Sequence, residues 1–146
     1  MAYTKIYIHF VFTTKKRIPF LNNPALRKKV WMHIKDNAMN KGIQLEIVGG
    51  YDDHCHCLVS MNNKQTTSEV MHLIKGESAH WINKNNLCDG TFSWQDQYFG
   101  ISVSQSIVNR VRDYIRNQEN HHKKKDFQIE YDRIVKEHGF SITNFD

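Results

Sequence analysis

Apolar and β-branched residues crowd the start of the chain. Ile6, Tyr7, Ile8, Phe10, Val11 and Phe12 predict a first strand over about residues 3–13. Lys15-Lys16-Arg17 follows as a basic turn. Asn23-Pro24 predicts a helix start, because Asn caps free N–H groups and Pro presets the first helical φ. Leu26, Val30, Ile34 and Ala38 recur every fourth position and give that helix one buried face, with Gly42 as its stop. Ile43, Leu45 and Ile47 alternate with Gln44 and Glu46, a second strand that Gly49-Gly50 should break. Alternation over 54–60 predicts a third strand and hence a hairpin with 43–48. Thr66 and Glu69 form a capping-box pattern before a helix through Val70, Leu73, Ile74 and Trp81. Residues 83–96 predict a loop and 98–103 a fourth strand. Ser104 or Ser106 can cap the next helix, which carries Ile107, Val111, Tyr114, Ile115 and Gln118. A last helix is expected over about 127–138, with Tyr131, Ile134 and Val135 inward and Gly139 as its stop.

The order is β-α-β-β-α-β-α with a further helix. Its first six elements match a ferredoxin-like α+β arrangement: an antiparallel sheet with helices packed on one face. The other face is then expected to be free for nucleic acid or a second subunit. The 146 residues hold no Pro- or Gly-rich linker and no repeat, so residues 1–146 are read as a single domain. A hydrophobic share of 40% argues against a disordered chain. A net charge of +5 suits an anionic partner, nucleic acid foremost. Cys55, Cys57 and Cys88 are an odd number without a disulfide framework, which fits a reducing cytoplasm. No secretory pattern opens the chain and no apolar run nears the ~18 residues of a membrane span, so a cytoplasmic protein with no membrane partner is expected.

Three groups of residues carry candidate chemistry. His54 and His56 are two apart on a strand, so both rings project to one face, as two ligands of one metal must. Two ordinary edge-strand histidines fit the same pattern. Cys55 and Cys57 point the other way and can pack as small apolar groups. Asp53 either orients a ring or repels a carboxylate-rich ligand set. Tyr114 and Gln118, at i and i+4, share one helix face. A tyrosine hydroxyl can attack phosphorus covalently, but its usual pKa of ~10 means that it needs nearby positive charge. Gln118 offers a neutral oxygen as a third metal ligand. The bland alternative is a core tyrosine beside a solvated glutamine. Basic residues gather at Lys15, Lys16 and Arg17, at Arg110, Arg112 and Arg116, and at Lys123, Lys124 and Lys125, where each can contact phosphates. Trp94, Tyr98 and Phe99 suit base stacking, or core packing for at least two of them. Gly76, inside a helix pattern, suggests close approach of a backbone, a neighbouring helix or DNA.

Together these residues resemble the single-tyrosine HUH transposases of small bacterial insertion sequences, with REP-associated tyrosine transposases as close kin. HUH denotes histidine, hydrophobic residue, histidine. The resemblance spans nearly the whole chain. It rests on the run from His9 to Pro19, on Asp53-His54-Cys55-His56-Cys57-Leu58-Val59-Ser60, and above all on Tyr114-Ile115-Arg116-Asn117-Gln118 followed by His121-His122-Lys123-Lys124. It implies that His54, His56 and Gln118 bind Mg²⁺ or Mn²⁺ and that Tyr114 is the nucleophile. It implies cleavage and rejoining of single-stranded DNA at insertion-sequence ends through a 5′-phosphotyrosine. The implied substrate carries subterminal hairpins, and the implied assembly is a homodimer whose active site can be shared. Cys55 departs from the usual larger aliphatic residue and raises a zinc-site alternative. A non-catalytic ferredoxin-like nucleic-acid-binding module is the other competitor.

Overall fold

The computed structural model describes residues 1–122 and 126–140. Strand β1 (Ile6–Thr13) leads into a tight turn at Lys15–Arg17. Helix α1 (Pro24–Asn40) starts where Asn23 Oδ1 accepts from the N–H groups of Ala25 (2.8 Å) and Leu26 (3.2 Å). Val30, Ile34 and Ala38 are its buried stripe, and Arg27 joins them. Strands β2 (Gln44–Gly50) and β3 (His54–Met61) form the expected hairpin. Helix α2 (Thr67–Lys84) is capped by Thr66, whose hydroxyl accepts from Glu69 N–H at 3.1 Å. Strand β4 (Phe99–Val103) completes a sheet of order β2-β3-β1-β4 in which every pairing is antiparallel. That is the order a ferredoxin-like fold requires.

The period-two alternation of β1 and β3 sorts side chains between two cores. Phe10, Phe12, Cys55, Cys57, Val59 and Met61 face α1 and α2. Tyr7, Val11 and Leu58 face the other way. That second face was expected to be open. It is covered instead by α3 (Val108–Arg116), α4 (Gln118–His122) and α5 (Phe127–His138). Val108 and Ile115 pack on Tyr7, Leu58 and Val103. Phe127 and Ile134 pack on Val11 and Phe99. The reason is chemical: Val11, Leu58 and Phe99 make the second face apolar, and it needs a cover as much as the first.

Three local expectations are corrected. Gly49-Gly50 does not break β2, because Gly49 pairs with His56 and Gly50 with Cys55. A Cβ on Gly49 would sit 2.8 Å from the Ile115 carbonyl oxygen, so the missing side chain is what lets α3 lie against the strand. Gly76, by contrast, faces open space, so among the described residues neither a backbone nor a neighbouring helix approaches it, and room for DNA is left. The expected helix through Tyr114 and Gln118 also divides, with Asn117 (φ −94°, ψ 13°) ending α3 and Gln118 starting α4. Trp94 and Phe99 are buried in the core, as weighed, and Trp94 Nε1–H donates to Ser78 Oγ at 2.9 Å.

Candidate active site

The pairing of β1 with β3 sets Val11 opposite His56 and Thr13 opposite His54. Both histidines project onto the second face, beneath α3 to α5, and both are fully buried. They are not surface groups of a half-exposed strand. His54 Nδ1–H donates to Asp53 Oδ1 at 2.8 Å, which settles the role of Asp53: it orients the ring. The opposite nitrogen, Nε2, lies 2.9 Å from Gln118 Oε1. A cation placed there would find an imidazole nitrogen and an amide oxygen side by side. His56 Nδ1 is hydrogen-bonded to His9 Nε2 at 2.8 Å, which leaves His56 Nε2 pointing into the site. Phe127 stacks on the His54 ring, with centroids 4.2 Å apart.

Glu130 enters from α5. Its Oε1 lies 2.6 Å from His56 Nε2, yet neither atom has an aligned hydrogen bond. Its Oε2 accepts from His122 Nε2–H at 2.8 Å. Nitrogen or oxygen atoms of His54, His122 and Glu130 all lie within 4.8 Å of one another. Burial pushes the Glu130 carboxyl up, but His56 and then His122 outweigh it and hold the group well below the usual carboxylate range. Burial lowers the His56 imidazole, against the pull of Glu130. Burial, with His56 next, takes His9 down to about 3. A cluster of buried imidazole nitrogens, an amide oxygen and a carboxylate is a donor set that fits a divalent cation.

Tyr114 stands beside His56, with ring centroids 5.7 Å apart. It opens onto a groove of about 360 Å³ that also meets His9, Arg110, Glu130 and Arg133. Arg133 Nη2–H donates to the Tyr114 hydroxyl at 3.3 Å, and its guanidinium lies 5.7 Å from the ring centroid. Burial, then the Glu130 charge, raises the phenol above its ordinary range, against Arg133 and Gln118. The hydroxyl therefore needs more positive charge before it can act as a nucleophile. Within this chain His56 lies beside both Tyr114 and His54, and His54 beside Gln118.

The family model described as Transposase IS200 like matches residues 2–118, which include all four of these residues. This chain belongs to that family. A crystal structure of a candidate transposase from Deinococcus radiodurans R1 is 22% identical, with a TM-score of 0.64 over 80% of this chain and 93% of that one. A REP-associated tyrosine transposase solved bound to a REP hairpin is 15% identical, with a TM-score of 0.58 over 84% of this chain and 72% of that one. At these identities the two structures establish a shared fold. No curated protein matches the chain.

The basic residues of this IS200-like chain are dispersed around that pocket. Lys15 and Lys16 are exposed at the end of β1. Arg17 is docked on α5, 4.6 Å from the Tyr131 ring centroid and donating to Gln128. Arg110 is exposed on α3 and lines the Tyr114 groove. Arg112 pairs with Glu46 at 3.1 Å and Arg116 with Asp113 at 2.7 Å. Lys123, Lys124 and Lys125 lie outside the described residues. The zinc alternative does not assemble: Cys55 and Cys57 pack toward α1 and α2, with their Sγ atoms 3.8 Å apart, on the face opposite His54 and His56. Sequence reasoning did not single out His9, Glu130 or Arg133. Glu130 follows Phe127 by three positions on an amphipathic helix, and an acid on such a buried stripe was the available signal. Among the described residues no helix is long and apolar enough to cross a membrane.

Proposed function

We propose that this protein is a metal-dependent tyrosine transposase that cleaves and rejoins single-stranded DNA at insertion-sequence ends. The observation that carries this reading is the adjacency of Tyr114, His54, His56 and Gln118, from β3, α3 and α4: the His56 ring lies beside those of Tyr114 and His54, and His54 Nε2 lies beside Gln118 Oε1. His54 and His56 would hold the ion, and Gln118 would add a neutral oxygen donor. When bound, Mg²⁺ or Mn²⁺ offsets the charge of the scissile phosphate and the charge that develops during attack. Asp53 and His9 hold the two ligand rings in orientation. Tyr114 Oη forms the bond to phosphorus as the bond to the 3′-oxygen breaks. The phenolic proton is lost, the departing oxygen gains one, and the ester energy is kept in a 5′-phosphotyrosine. Arg133 stabilises the developing phenolate. An incoming 3′-OH then displaces Tyr114 and reseals the strand without ATP.

The substrate proposed is single-stranded DNA with subterminal hairpins, in line with the hairpin held by the REP-associated relative. Lys15, Lys16, Arg17, Arg110, Lys123 and Lys124 are proposed to contact its phosphates, and the working assembly is proposed to be a homodimer. The test uses hairpin oligonucleotides tiled across the DNA flanking the gene, with Mn²⁺. A denaturant-resistant protein–DNA adduct is expected. Tyr114→Phe should abolish it while leaving hairpin affinity within about twofold, and EDTA should abolish it too. An adduct that survives Tyr114→Phe would remove the tyrosine from the mechanism. Tight binding without any adduct would favour the non-catalytic DNA-binding module.

A further inference from the structure

We propose that Glu130 is itself a metal ligand: its carboxylate joins His54 and His56 as the anionic donor of the cation site. The inference rests on the reading of those two histidines as ligands. The family match ends at Gln118, so α5 and Glu130 lie beyond it.

Geometry comes first. The Glu130 side chain is 1% exposed, and α5 turns it onto the same pocket as the β3 histidines. Its Oε1 lies 2.6 Å from His56 Nε2, an ion-pair contact wholly inside the pocket. An imidazole nitrogen and a carboxylate oxygen converge there, and Nδ1 or Nε2 of His54 and His122 lies within 4.8 Å of the carboxylate, so a cation would find several ligand atoms at one place. The remaining oxygen, Oε2, is held by His122 at 2.8 Å, which fixes the carboxylate plane. Among the described residues the ion partners of Glu130 are His56, His121 and His122, with no Lys or Arg.

Charge balance supports the same assignment. Two imidazoles and an amide are neutral donors, and they would leave a buried dication with its whole charge uncompensated. One carboxylate reduces the net charge to +1. A single phosphodiester then neutralises the remainder. A hard anionic oxygen also extends a nitrogen-rich site toward Mn²⁺ and Mg²⁺, which favour oxygen donors.

The test is Mn²⁺ titration calorimetry on the full chain, comparing wild type, Glu130→Gln, Glu130→Asp and His56→Ala. The circular dichroism and melting temperature of each metal-free protein serve as fold controls. Glu130→Gln keeps the shape and removes the charge, and Mn²⁺ affinity should fall by at least about tenfold. Glu130→Asp keeps the charge on a shorter stem and should fall between the two. Loading with Co²⁺ gives an independent readout, because loss of a carboxylate donor changes its visible absorption. If Glu130→Gln does not fold, Glu130→Asp and the Co²⁺ spectrum carry the same comparison. A folded Glu130→Gln that binds Mn²⁺ within twofold of wild type, while His56→Ala loses it, overturns the role of Glu130 alone. Wild-type protein that binds no Mn²⁺ overturns this inference and the metal-dependent reading together.

Discussion

Asp53 and His9 are not among the proposed metal ligands, yet they decide which nitrogen of each proposed ligand histidine is available. Asp53 takes the Nδ1 proton of His54, and His9 engages His56 through Nδ1, so both Nε2 atoms turn inward. Such partners also raise the basicity of the ring as a ligand. Asp53→Asn keeps an acceptor oxygen but loses the charge. Mn²⁺ affinity should drop about 10- to 100-fold, the usual effect of removing a carboxylate behind a ligand histidine. Calorimetry measures that loss. The melting temperature of the metal-free protein should move little, because Asp53 is partly exposed and Asn keeps an acceptor oxygen for the His54 ring. An unchanged affinity would mean that His54 needs no orienting group. The sequence could not choose between orientation and repulsion for Asp53, because the answer depends on a ring torsion. It did place His54 and His56 on one face, because strand alternation leaves no other choice.

At the scale of elements, the site depends on how closely α3 approaches the sheet. Gly49 permits that approach: its missing Cβ would lie 2.8 Å from Ile115 O and 3.2 Å from Ile115 Cγ2. Gly49→Ala should push α3 outward and carry Tyr114 with it. Overpacking of this kind costs about 1–3 kcal/mol, visible as a lower denaturation midpoint. Adduct yield should fall further than stability alone explains, since Tyr114 must stay near His56. A variant with wild-type midpoint and wild-type adduct yield would show that β2 yields instead of α3. A glycine pair in a strand reads as a breaker, so this role was hidden in the sequence. Caps and stripes were legible because they are local: Asn23, Thr66 and Gly139 each act within one turn. The break at Asn117 was not, because the apolar spacing from Ile107 to Ile115 runs on smoothly to Gln118. Glu130 was missed for a related reason. Its partners are His56, more than seventy positions earlier, and His122 on another helix, and no local pattern links them.

For the whole molecule, the net charge of +5 overstates what is available to DNA. Arg27 is clasped by Glu119 at 2.7 Å, Arg112 by Glu46 and Arg116 by Asp113. A cation that already has a carboxylate partner gains little by exchanging it for a phosphate. Lys15 and Lys16 are different: both are exposed at the end of β1, the strand that also carries His9. If they hold the strand that enters the site, replacing both with alanine should weaken binding at low salt. It should also make the plot of log affinity against log salt shallower by about 0.7 for each lost single-strand contact. Arg112→Ala should leave that slope unchanged, because its charge is matched by Glu46. Fluorescence anisotropy with one labelled hairpin across a salt series measures both slopes. Equal slopes for wild type and the double variant would move the DNA path away from the β1 turn, toward Arg110 and the groove beside Tyr114. A shallower slope for Arg112→Ala would mean that DNA displaces Glu46, and that the surface pairs around α3 open when substrate binds.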